Sequence, residues 1–191
     1  MNINKAIRKQ RKSYKRFLLS MCFVFFALPA SMIFYGRTEK FYIAFLVVIE
    51  ALVAVSVCMR ANRENLDFDY SMGWIRLRRG LLGRTESINC DRIKYVDVEA
   101  GVEKVKGFQD FRIILVSDSK FRNKKLKAVD QSFREKYALR DIGQEQFYIA
   151  VESGGLRKYR LLDAVFKSCV KAAYSEKAIE TIKYYRANLN S

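Results

Sequence analysis

Two stretches decide how this chain is organised: FLLSMCFVFFALPASMIFY at residues 17–35 and FYIAFLVVIEALVAVSVCM at residues 41–59. The first holds nineteen residues without a charge, and the second holds nineteen with one carboxylate, Glu50, at its middle. At about 1.5 Å of rise per residue, each is as long as a bilayer core is thick. Only residues 36–40 separate them, which predicts a tight transmembrane helical hairpin. A cleaved leader would be shorter and would not be followed at once by a second span, so the first helix is expected to stay in the mature protein. Pro29 predicts a bend in the first span, which neighbouring helices tolerate in membranes.

Outward from the hairpin the composition changes sign. Lys5, Arg8, Lys9, Arg11, Lys12, Lys15 and Arg16 precede the first span with no acidic residue among them, and Arg60 and Arg63 follow the second. By the positive-inside rule both ends face the cytoplasm, which predicts a multi-pass protein of the inner (plasma) membrane. Phe17, Tyr35, Phe41 and Tyr42 sit where interfacial anchors belong. The N-terminal cluster is read both as topogenic charge and as a lipid-facing patch, because basic residues beside an anionic leaflet gain roughly 1 kcal/mol each. Glu50 would cost roughly 2.5–3.5 kcal/mol as an anion at the bilayer centre. It is therefore expected to be protonated or paired, as helix–helix adhesion within the hairpin or between protomers, or as part of a proton or ion path.

The whole chain of 191 residues carries 36 Lys and Arg against 20 Asp and Glu, a formal charge of +16. That charge suits acidic proteins, anionic lipid or nucleic acid. The absence of histidine removes the commonest general base and metal ligand. Cys22, Cys58, Cys90 and Cys169 show neither zinc nor disulfide spacing and read as small buried hydrophobes. Phosphate-loop, HExxH, GxSxG and EF-hand patterns are missing. No catalytic residue, metal site or cofactor is expected, and the expectation is a protein that is not an enzyme.

After residue 60 the apolar period becomes two. Strands are predicted over 66–71, 74–79, 84–88, 93–99, 111–116, 146–151 and 156–162, with the last two forming a hairpin about Ser153-Gly154-Gly155. From Asp163, taken as an N-cap, apolar residues recur at helical spacing and predict one C-terminal helix. Seven strands and a closing helix describe an α+β domain: a bent antiparallel sheet or partly open barrel. The expected divisions are a basic cytoplasmic segment at 1–16, the hairpin at 17–60 and a cytoplasmic domain at 61–191.

Within that domain, GLLGRTESINCDRIKYVDVEAGVEKVKGFQDFRIILV, residues 80–116, resembles the centre of the bacterial pleckstrin-homology-like (bPH) domain of small membrane proteins. Gly80, Gly83, Asp91, Arg92, Ile93, Val96, Val98, Gly107, Phe108 and residues 113–116 carry the likeness, and two spans ahead of the domain are common in that family. The resemblance implies a pleckstrin-homology-like (PH-like) fold, a bacterial origin and a membrane-associated role without an active site. Residues 118–144 depart from the pattern as a basic insertion, with a predicted helix near 123–139 presenting Leu126, Val129, Phe133 and Tyr137 to the sheet, to lipid or to another protein.

Two smaller constellations remain. Asp67 and Asp69 point one way on a strand and read as a cation or acid–base pair, or as a solvated polar face. Arg76, Arg78, Arg79 and Arg84 form a candidate anion patch. Together these features predict a membrane-anchored binding or scaffold protein that contacts anionic lipid, a protein partner or further copies of itself. The alternative is a small transporter accessory or ion-conducting oligomer using Glu50. Nucleic-acid binding lacks a reader motif and is disfavoured.

Overall fold

A computed structural model describes residues 2–36, 39–81, 83, 85–105, 107–118, 127–137 and 146–189. In chain order the elements are α1 (Ile3–Phe34), α2 (Lys40–Glu64), β1 (Leu66–Ser71), β2 (Trp74–Arg79), β3 (Thr85–Asn89), β4 (Ile93–Val105), β5 (Phe108–Ser117), β6 (Lys127–Ala128), α3 (Gln131–Lys136), β7 (Phe147–Val151), α4 (Arg157–Ser168), β8 (Ala173–Tyr174) and α5 (Glu176–Ala187). Two long apolar helices thus precede a separate α+β region.

α1 and α2 are each long and apolar enough to cross a membrane. They pack side by side. Half-buried positions 17, 18, 21, 24, 27–29 and 32 of α1 and 46, 49, 50, 53 and 57 of α2 recur at steps close to the helical period and mark the seam. Many other apolar side chains of the two runs point away from protein: Leu19, Phe23 and Phe26 are each more than 70% exposed. Pro29 lies inside α1, which continues to Phe34.

Beyond α2 the strands form two sheets, and neither closes into a barrel. Three antiparallel strands run in the order β1-β2-β3, and five run β6-β7-β5-β4-β8, antiparallel except where β8 joins β4 in parallel. The β1–β2 hairpin turns at Met72 and Gly73, both at positive φ, as a two-residue turn between right-twisted strands requires. Its inner face supplies Leu66, Ile75, Leu77 and, from β3, Ile88 to the core.

β5 lies between β7 and β4, and its residues 113–117 are buried on both faces. α4 and α5 cover the first face, where Tyr159 packs edge-on to Phe111 at 4.6 Å and stacks near Tyr185 at 6.0 Å. Burial lifts the Tyr159 phenol to about 12, and its hydroxyl donates to the Gln109 carbonyl at 3.0 Å. On the second face α3 of the insertion makes contact at two points. Phe133 of α3 stacks on Tyr148 at 4.0 Å, and Lys136 reaches Glu99 at 2.7 Å. Burial on both faces explains the apolar run from Ile113 to Val116, while Arg112 just before it is exposed and pairs with Glu99 and Glu152 at 3.5 and 3.1 Å.

Three expectations are corrected here. Residues 156–162 are the start of α4, not a strand, so Ser153-Gly154-Gly155 is a strand-to-helix entry. The C-terminal region is two helices: α4 ends at Cys169, and α5 begins anew with Ser175 as its N-cap, its hydroxyl accepting from the Ala178 amide at 3.1 Å. Asp163 therefore sits in mid-helix, where Arg186 and Lys167 bind its carboxylate at 2.7 and 2.6 Å. The insertion helix is short, Gln131–Lys136, capped by Asp130; the rest of the predicted 123–139 helix is β6 and its flanks, or lies outside the described residues.

Candidate functional site at the foot of the apolar helices

The first turns of α1 are not a free basic tail. Ile3, Ala6 and Ile7 belong to the core of the α+β region, and Gln10 is buried with them. Their 3, 6, 7, 10 spacing is one stripe of a helix. The Ile3 amide donates to the Asn188 carbonyl at 3.1 Å, Asn2 to the Leu189 carbonyl at 2.8 Å, and Arg160 to the Asn4 side chain at 2.6 Å. The domain boundary drawn at residue 16 is thus crossed by one continuous helix.

Gln10 ties three elements together. Its Nε2 donates to Glu64 at the end of α2 at 2.6 Å, and its Oε1 accepts the Leu156 amide at the entry to α4 at 3.1 Å. The backbone entering α4 lies so close that a Cβ on Gly154 would strike Leu66, and one on Gly155 would strike Gln10; both glycines are at positive φ. Gly154 also donates to the Arg63 carbonyl at 2.7 Å. Two glycines are therefore needed for contact with β1 and α1, where the sequence pattern suggested a hairpin.

Between these elements lies an open groove of about 1040 Å³. Its walls are one face of α1 from Ile7 to Leu18, the chain from Glu64 through Phe68, the end of β2 with Arg78, and the start of α4. Arg8, Arg11, Lys15, Arg78, Arg157 and Arg160 face it, against the carboxylates of Glu64 and Asp67. Arg157 is held by the Leu66 carbonyl at 3.0 Å, and Arg160 by Asn4. Glu64 is engaged by Gln10, and more loosely by Arg60 at 3.7 Å. The groove's cations consequently exceed the anions that could neutralise them.

The seven N-terminal basic residues, all exposed, divide by helical phase. Arg8, Arg11 and Lys15 line the groove, whereas Lys5, Lys9, Lys12 and Arg16 do not. The predicted arginine patch divides too. Arg78 joins the groove. Arg76 stands on the outer face of the sheet opposite Asp69, and Asp67 stands opposite Arg78. These cross-strand pairings give Asp67 and Asp69 cationic neighbours, and no group of three or more metal-ligand side chains occurs among the described residues. Arg79 turns inward: it donates to both oxygens of Glu86, at 2.9 and 2.7 Å, and to the Ala150 carbonyl at 2.6 Å, pinning one sheet to the other. Arg84 lies outside the described residues. Glu50 faces the α1–α2 seam, and its Oε1 is buried with no hydrogen-bond partner among the described residues.

Sequence reasoning missed Gln10, Arg157 and Arg160. The signal for Gln10 was the 3, 6, 7, 10 stripe beneath the more conspicuous charges. For the arginines it was their i, i+3 spacing, hidden once residues 156–162 were read as a strand. Comparison with protein-family models, with curated proteins and with solved structures finds no match to this chain.

Proposed function

We propose that this protein is a membrane-anchored binding and scaffold module: the hairpin spans the inner membrane with both chain ends cytoplasmic, and it holds a PH-like domain of bacterial type against the inner leaflet. The continuity of α1 carries this reading. A helix of 32 residues is about 48 Å long, well beyond a bilayer core of about 30 Å. One stripe of that surplus, Ile3, Ala6, Ile7 and Gln10, is buried against the domain, so the segment is docked rather than left as a linker. A domain joined in that way keeps a fixed height and orientation above the bilayer, as presentation of a binding surface demands and as a tethered soluble enzyme does not require. The basic residues at the foot of the hairpin support the cytoplasmic orientation, and residues 80–116 support the PH-like assignment.

Reporter fusions after residue 191, with carbonate washing of vesicles, test the anchor and its orientation. Crosslinking in native membranes followed by pull-down tests the scaffold role. A cytoplasmic tail, retention in the pellet and one discrete partner or self-adduct are expected; an external tail or release by carbonate overturns the reading.

A second reading is favoured by the unpartnered Glu50 oxygen in the seam. There the hairpin self-associates through Glu50, or conducts protons as an oligomer. Glu50→Gln in proteoliposomes separates the two: adhesion survives a neutral amide, and proton flux does not.

A further inference from the structure

We infer that the groove at the foot of the hairpin seats the headgroup of one anionic phospholipid, its phosphate among the groove's arginines and its acyl chains passing Leu18 along the apolar part of α1. This rests on the proposal that α1 spans the membrane, and it names the ligand of the surface so presented. Three observations point to that occupant.

The first is charge. Six cations line the groove against two carboxylates, one of which is already engaged by Gln10. Guanidinium groups bind phosphate oxygens through paired, charge-assisted hydrogen bonds. Arg157 and Arg160 are already fixed by the Leu66 carbonyl and by Asn4, so less side-chain freedom is lost on binding.

The second is height. The Arg60 guanidinium lies over the Phe17 ring at 5.3 Å, a cation and an aromatic at the point where the apolar run of α1 begins. Tyr14, Lys15 and Leu18 flank that point on the same helix and line the groove. Its upper end therefore opens at headgroup level, on the side where a lipid arrives from the leaflet without leaving it.

The third is mixed polarity. Ile7, Leu18, Leu66, Phe68 and Leu81 share the lining with the cations. A glycerophospholipid presents that combination, phosphate beside methylenes. An acidic peptide, whose charges repeat along a polar chain, fits it less well. The volume, about 1040 Å³, accommodates a headgroup and its glycerol.

The test uses the full chain in nanodiscs of mixed phosphatidylglycerol and phosphatidylcholine, with native mass spectrometry counting the lipid that stays bound after release. Two triple variants remove equal charge: Arg11→Ala/Lys15→Ala/Arg78→Ala in the groove, and Lys5→Ala/Lys9→Ala/Lys12→Ala outside it. The unaltered protein is expected to retain one phosphatidylglycerol. The groove variant should bind it at least about tenfold more weakly, and the control should stay within about twofold. Equal losses in both variants would mean diffuse attraction and overturn the inference, as would full retention by the groove variant, preference for phosphatidylcholine, or displacement of the lipid by a micromolar oligoglutamate peptide. A failed lipid result with a cytoplasmic tail overturns only this inference; an external tail overturns the anchoring proposal itself.

Discussion

Helix α1 lies in two surroundings. Its first two turns place Ile3, Ala6 and Ile7 in a protein core, all at most 7% exposed, whereas Ile33 and Phe34 near the other end are 77% and 85% exposed. The first end is crowded with lysine and arginine, yet its apolar stripe is buried; the second is almost wholly apolar, yet it touches little protein. Average hydrophobicity therefore says which end suits lipid, and only phase says which end is docked. A charged segment with three apolar residues at the right spacing can be a structural element of the domain that follows it 50 residues later.

The comparison breaks first at Ile3. Ile3→Ala leaves a cavity in a packed core and should destabilise the α+β region by about 2–5 kcal/mol. Hydrogen exchange in α5, whose end receives the first turn of α1, is the readout. Ile33→Ala at the exposed end should change the same protection by less than about 0.5 kcal/mol. Similar losses from the two variants would mean that the two ends do not differ as described.

Gln10→Ala comes next. It removes no large apolar volume but leaves the Leu156 amide and the Glu64 carboxylate without their shared partner. Unsatisfied buried groups of this kind cost about 1–3 kcal/mol. Exchange of the amides entering α4 should accelerate, while the apolar part of α1 keeps its protection.

Acid should act on the helix pair beneath the docked end. Asp163 on α4 is desolvated by burial, which raises its pKa, but hydrogen bonds and charges from Lys167 and Arg186 outweigh that and hold it below the usual carboxylate value. The folded state thus takes up this proton less readily than the unfolded one. The stabilisation is complete above the unfolded pKa, near about 3.9, and is lost as pH falls through the lower folded value. Asp163→Asn should flatten that part of an acid titration followed by circular dichroism and lower stability at neutral pH. A titration unchanged by the substitution would remove Asp163 from the acid response.

What could be read in advance follows the same division. The two apolar runs, the first three strands and the FRIILV strand are legible because each depends on local pattern alone. Arg157 to Leu162 failed because Gly154-Gly155 between apolar runs resembles a hairpin turn, and the decisive fact is tertiary: both glycines are needed for close approach to Leu66 and Gln10. The break at Cys169 was hidden because the apolar spacing continues across it into α5. The groove draws on α1, β1, β2 and α4, elements far apart in sequence, so only the contribution of residues 8–15 and Arg78 could be singled out as basic, and their convergence could not.

The smallest effect tests whether the docked end is held by burial or by charge. Lys5, Lys9 and Lys12 are exposed and face away from the groove, and none has an ion pair among the described residues. Changing each to Ala should alter stability by no more than about 0.5 kcal/mol, because an exposed cation gives up little hydration on folding and is screened by salt. Measured by denaturant unfolding at low and at high salt, the three variants should track the parent protein in both. A larger, salt-sensitive loss would show that charge rather than the 3, 6, 7, 10 stripe fastens this end. α1 would then be uniform in one respect: neither end would owe its place to contacts within the core.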